Sequence, residues 1–221
     1  MTNKPLAMIL LTFTILLNGC ADTTSRSCSV YLLMDTPGNH GGNSDRQQPV
    51  IRYLLGTLQP GDSLAVARID GGSFSQKDIV AKMSFDRRLS IANQQKRLFR
   101  KKVDQFFASE KGSRSTDVSG GILQAVTYLH KTGAGHEYIL ILSDLKEELA
   151  GGHVLDFPIQ LGGCKIIWLN VIGIQKDSTD AGHYSNWLKA WEKRIKTGGG
   201  QWQVVNDLKD LGAVLAGQKW G

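Results

Sequence analysis

Three continuous apolar runs constrain this chain more than any other feature. They are Ser29–Met34 (SVYLLM), Tyr138–Leu142 (YILIL) and Lys165–Ile172 (KIIWLNVI). A strand with one wet face alternates polar and apolar residues. A strand covered by helices on both faces does not, so these runs read as central strands of a mostly parallel sheet. The first run ends in Asp35-Thr-Pro-Gly-Asn-His-Gly-Gly42 and the second in Ser143-Asp144. Open sheets of this kind bind ligands outside the carboxyl ends of their strands, where both aspartates fall.

The intervening segments supply the rest of the sheet and its cover. Asp45–Leu58 repeats Val50, Leu54 and Leu58 at helical spacing and stops at Pro60-Gly61. Ser63–Ile69 is another strand, and Ile79–Phe85 alternates as a partly exposed edge strand does. Ser90–Phe107 is the clearest helix, with Ile91, Gln95, Leu98, Val103 and Phe106 on one face and Phe99 and Phe107 widening it. Thr116–Lys131 aligns Val118, Ile122, Ala125, Val126 and Leu129. Thr179–Lys196 aligns Tyr184, Trp187, Leu188, Trp191 and Ile195 before Gly198-Gly-Gly200. Trp202–Val205 and Asp207–Leu215 close the chain as strand and helix. The order predicts an α/β fold, a three-layer, doubly wound and mostly parallel sheet with one short antiparallel edge strand.

The first residues follow a different plan. Lys4 precedes an apolar stretch, Leu6–Leu17, broken only by threonines. This is the layout of an export signal and is shorter than the ~20 residues of a membrane span. Leu17-Asn18-Gly19-Cys20 resembles the lipobox of bacterial lipoproteins. The resemblance implies cleavage before Cys20 and acylation, including palmitate, of that cysteine. With Ala21 following, it implies an outer-membrane lipoprotein facing the periplasm. Several acyl chains anchor durably where one is marginal. The expected organisation is a signal peptide over 1–19, a lipidated cysteine and polar tether over 20–27, and a single domain over 28–221.

The other cysteines are Cys28 and Cys164. An oxidising exported compartment invites a disulfide between them. Each stands at the start of a predicted strand, however. With one strand between them their Cα atoms would lie roughly 10 Å apart, beyond the roughly 7 Å that a bridge spans. Both possibilities stay open on the sequence.

Asp35 and Asp144, with the Thr116 hydroxyl at the head of a helix, are oxygen donors suited to a hard divalent cation. They are equally suited to starting loops and capping helices. The pattern around them resembles the von Willebrand factor type A domain. That family carries a strand ending D-x-S-x-S, a threonine at a helix head, and an aspartate after a later strand. Here these are Asp35-Thr36-Pro37-Gly38-Asn39, Arg114-Ser115-Thr116-Asp117-Val118, and Leu140-Ile141-Leu142-Ser143-Asp144-Leu145. The element order agrees from about Cys28 to the end of the chain. The resemblance implies a Mg2+ or Mn2+ site made by Asp35, Asn39, Thr116 and Asp144, with a position left for an acidic residue of a partner protein. Three departures mark the site as degenerate. Pro37 replaces a serine ligand, Asn39 replaces the second serine, and Leu145 replaces a usual glycine.

Signals of catalysis are weak. No Walker lysine, G-x-G-x-x-G, G-x-S-x-G or H-E-x-x-H occurs, and Pro37 breaks the D-x-D of aspartate phosphatases. The formal charge of +6 permits anionic partners without naming one. Arg97, Arg100 and Lys101 on the long helix are either a solvated face or a contact for an anionic surface. Nucleic acid is disfavoured, since no aromatic residues interleave with the basic ones. The expectation is a non-catalytic, envelope-anchored module that binds a protein partner through the loops at the carboxyl ends of the strands, with or without a metal; the alternatives are a metal-free structural or assembly lipoprotein of a secretion or conjugation apparatus and a weak metal-dependent hydrolase.

Overall fold

A computed structural model describes residues 27–35, 44–69, 76–109, 116–143, 159–170 and 181–217. The segment expected to be an export signal, Cys20, Asn39 and Asp144 lie outside them. The six strands are β1 (Cys28–Asp35), β2 (Ser63–Ile69), β3 (Ile79–Ser84), β4 (His136–Leu142), β5 (Lys165–Leu169) and β6 (Gln201–Val205). The helices are α1 (Ser44–Thr57), α2 (Leu89–Ser109), α3 (Val118–Thr132), α4 (Ala181–Thr197) and α5 (Leu208–Leu215). A short 3-10 turn, Gln76–Asp78, precedes β3.

The strands form one sheet in the order β3-β2-β1-β4-β5-β6. All neighbours are parallel except β2 and β3. This is the predicted three-layer α/β sheet, with the antiparallel strand at the edge where the alternation of Ile79–Phe85 put it. The apolar runs behave as expected of strands covered on both faces. Val30, Leu32 and Met34 join a core with α1, α2 and α5, whereas Tyr31 and Leu33 join one with α3 and α4. Each such side chain, fully buried, contributes about 1.5–3 kcal/mol.

Two helix faces differ from the sequence expectation. On α2 the buried residues are Ala92, Phe99 and Val103, while Leu98 is 50% exposed. The helix is fixed by Phe99, which meets Phe85 edge to face at 6.5 Å between centroids. Lys96 lies over the Phe85 ring and donates to the Leu58 carbonyl at 2.5 Å, covering apolar surface with its stem. That orientation turns Leu98 outward. On α4, Trp191 is buried as expected but Trp187 is 37% exposed.

The two cysteines are free thiols on opposite faces of the sheet. Cys28 packs against the core beneath α1, α2 and α5, and Cys164 belongs to the core beneath α3 and α4. β4 runs between their strands. A Cys28–Cys164 bridge is therefore absent, for the spacing reason already visible in the sequence and for a second reason, the opposed faces.

Candidate functional site

Two places in this fold gather side chains with chemistry, one at each end of the strands. The first is the carboxyl edge. β1 is followed in sequence by β2 on one side, while its neighbour on the other side, β4, leads away to β5 and β6. The sheet reverses direction between β1 and β4, and ligands of open α/β sheets bind at such a crevice.

Local contacts fix what stands there. Asp35 ends β1, and Gln47 of α1 donates to its backbone carbonyl at 2.5 Å. α3 begins close over β1 because residue 121 is glycine. A Cβ there would meet Leu33 Cδ2 at 3.1 Å. Asp117 caps α3, accepting the Gly120 N–H at 2.7 Å, and Thr116 immediately precedes the cap. Ser119, in the first turn, accepts a 2.7 Å hydrogen bond from Arg194 of α4, whose guanidinium also lies over the Trp191 ring. At the end of β4 the Ser143 carbonyl accepts from the buried Trp168 indole at 2.8 Å. The fold thus brings Asp35, Thr116 and Ser143 to one edge. Asn39 and Asp144, the other expected ligands, lie outside the described residues. Arg97, Arg100 and Lys101 are on the solvent face of α2, away from this edge, with Arg100 3.6 Å from Asp104.

The second place is the amino edge, and the sequence did not point to it. His130 in the last turn of α3, Glu137 near the start of β4 and Cys164 just before β5 bring their ligand atoms within 4.8 Å of one another. Cys164 Sγ lies 3.3 Å from Glu137 Oε2 and 3.8 Å from His130 Nε2. His130 Nε2 is 3.4 Å from Glu137 Oε2. The pairing of Tyr138 with Lys165 sets Glu137 beside Cys164 on the face that α3 covers. Burial pushes the Cys164 thiol up to about 12, helped by its hydrogen bond to Glu137 and by that carboxylate's charge. Without a bound cation it is a neutral thiol donating to Glu137.

This cluster is a candidate metal-coordinating group, and its ligands suit a transition metal better than Mg2+ or Mn2+. Thiolate and imidazole are soft or borderline donors, whereas magnesium takes oxygen. The cluster is poorly arranged as a nucleophilic relay. Sulfur and carboxylate face the same imidazole nitrogen, whereas a relay needs the carboxylate on the far one. Only strand register and the packing of α3 reveal the group, because the residues come from separate elements and match no local spacing.

No family model matches the chain, and no curated protein matches it. Among solved structures it is similar to a von Willebrand factor type A protein from Catenulispora acidiphila, with 13% identity and a TM-score of 0.48 over 86% of this chain. The chain spans 41% of that protein. It is also similar to an aerotolerance-related membrane protein from Bacteroides fragilis, with 10% identity and a TM-score of 0.47, over 87% of this chain and 97% of that one. The strand order and the antiparallel edge, rather than these overlaps, define the class as a three-layer, doubly wound α/β sheet of the Rossmann-like kind. Among the described residues no helix is long and apolar enough to cross a membrane.

Proposed function

We propose that this protein is a non-catalytic binding module, held to the bacterial envelope by lipid on Cys20, that contacts a protein partner through the carboxyl edge of its sheet. What supports the reading is the topology: the end of β1 at Asp35 and the start of α3, just after Thr116, share the carboxyl edge beside the reversal between β1 and β4. These are the positions of the von Willebrand factor A motif that bear oxygen ligands. The lipobox-like Leu17–Cys20 supports the anchor, and Ala21 supports an outer-membrane lipoprotein facing the periplasm.

In this reading Asp35, Thr116, Asn39 and Asp144 hold Mg2+ or Mn2+, with water in place of the hydroxyl that Pro37 lacks. The ion leaves one position for a partner's carboxylate. The exposed Arg97, Arg100 and Lys101 add attraction to an anionic surface near the tether. Calorimetric titration of the full chain with Mg2+, beside an Asp35→Ala variant, tests the metal. Binding by the parent that is lost in the variant supports it. The same absence of binding in both leaves a metal-free assembly lipoprotein as the better reading. Phosphoester turnover that disappears with Asp35→Ala would instead restore a hydrolase.

A further inference from the structure

We infer that His130, Glu137 and Cys164 form a binding site for one divalent transition-metal ion, zinc fitting best, at the amino edge of the sheet. This site is separate from the carboxyl edge and does not depend on the function proposed for it.

The first support is the shape of the ligand triangle. Zinc binds thiolate sulfur at about 2.3 Å, and imidazole nitrogen and carboxylate oxygen at about 2.0–2.1 Å, tetrahedrally. Three such ligands around one ion therefore stand about 3.6 Å apart for sulfur–nitrogen and sulfur–oxygen, and about 3.3 Å apart for nitrogen–oxygen. The corresponding distances here are 3.8, 3.3 and 3.4 Å. All three lie within about 0.3 Å of one face of a zinc tetrahedron, so closure around an ion needs only small side-chain adjustments.

The second support is how the triangle is held. Glu137 and Cys164 sit on or beside adjacent parallel strands in fixed register. His130 is delivered by α3, and its ring rests against Gly162. A Cβ at residue 162 would come within 2.6 Å of His130 Cε1 and 2.7 Å of Nε2, and the backbone there has φ +56. The turn before β5 thus leaves room for the imidazole in a conformation that favours glycine. The Cys164 side chain cannot be diverted into a disulfide with Cys28, which is on the other face of the sheet.

The third support is access. Cys164 is fully buried, Glu137 is 16% exposed and His130 is 45% exposed, so the group is buried at sulfur and open at the imidazole. Three protein ligands with an open side leave the fourth corner for water or an incoming donor. Binding requires loss of the thiol proton as the zinc–sulfur bond forms, and that proton leaves to solvent.

Cobalt titration of the full chain, freed of metal, tests the site. One equivalent of Co2+ is expected to produce a sulfur-to-cobalt charge-transfer band and the visible bands of tetrahedral cobalt, both erased by one equivalent of Zn2+. His130→Ala removes a ligand from a partly exposed position. It is expected to weaken Zn2+ binding by more than the about 10–100-fold cost of disturbing an outer contact, while leaving the metal-free circular dichroism unchanged. Cys28→Ser is expected to leave both bands intact. Absence of the sulfur band in the parent, equal affinity in parent and His130→Ala, or loss of the band with Cys28→Ser would overturn the site. Cys164→Ser is expected to abolish the sulfur band. Should that variant fail to fold, the comparison of parent with His130→Ala still decides.

Discussion

Cys28 and Cys164 occupy the same end of the sheet but opposite faces, with β4 between them. Cys28 is partly buried and its thiol is pushed up to about 12, chiefly by burial. Cys164 is fully buried. Both thiols are therefore expected to label slowly in the native protein and freely after denaturation, whether or not the sample has been kept under oxidising conditions. Alkylation followed by peptide mass spectrometry checks this. Recovery of a Cys28–Cys164 disulfide peptide would contradict the packing described.

Asp62 ties the starts of β1 and β2 together. Its buried carboxylate accepts the Cys28 N–H at 2.8 Å and the Gln59 N–H at 2.7 Å. Asp62→Ala leaves both donors without that partner, and a buried polar group so orphaned costs about 1–3 kcal/mol. Urea unfolding should show a lower midpoint with an unchanged slope. An unshifted midpoint would mean that water replaces the carboxylate at no cost.

Much of the sheet was legible because its physics is local. The runs around Leu32, Leu140 and Ile167 lack alternation because helices cover both faces, and Ile79–Ser84 alternates because it is an edge. Helix faces were read less well. Leu98 looks like a core residue by side chain, yet Phe99 meeting Phe85 sets the rotation of α2 and Lys96 takes the covering place. The amino-edge cluster was invisible for a different reason. Glu137 and Cys164 become neighbours through the register of β4 with β5, and His130 joins them through the packing of α3 on that face, neither of which a single segment encodes. At the carboxyl edge, the apolar run was sufficient to show that Asp35 ends a central strand.

Gly162 and His130 should behave as a coupled pair. Gly162→Ala forces an alanine into a left-handed conformation and its Cβ into the imidazole. The expected destabilisation is about 1–3 kcal/mol. In a His130→Ala background the clash is gone and only the backbone cost remains, so the two effects should fall short of additivity by about 0.5–3 kcal/mol. Thermal or urea unfolding of the parent, both single variants and the double variant measures this. Simple additivity would remove the ring contact from the account.

The proposed anchor is tested at Cys20. Cys20→Ser should abolish palmitate incorporation, and the proposed export signal should remain uncleaved or the chain should be released from the membrane fraction. Metabolic labelling with a palmitate analogue and envelope fractionation report both. Equal labelling of parent and variant would remove the lipid from the account.

The central claim, that the carboxyl edge of the sheet meets a protein partner, is tested most directly by site-specific photocrosslinking in the intact envelope. A photoreactive residue replacing Thr116, at the carboxyl edge, should yield a discrete adduct. The same residue replacing the exposed Lys131, in the last turn of α3 at the amino edge, should yield none. No adduct from position 116, or equal adducts from both positions, would contradict the claim.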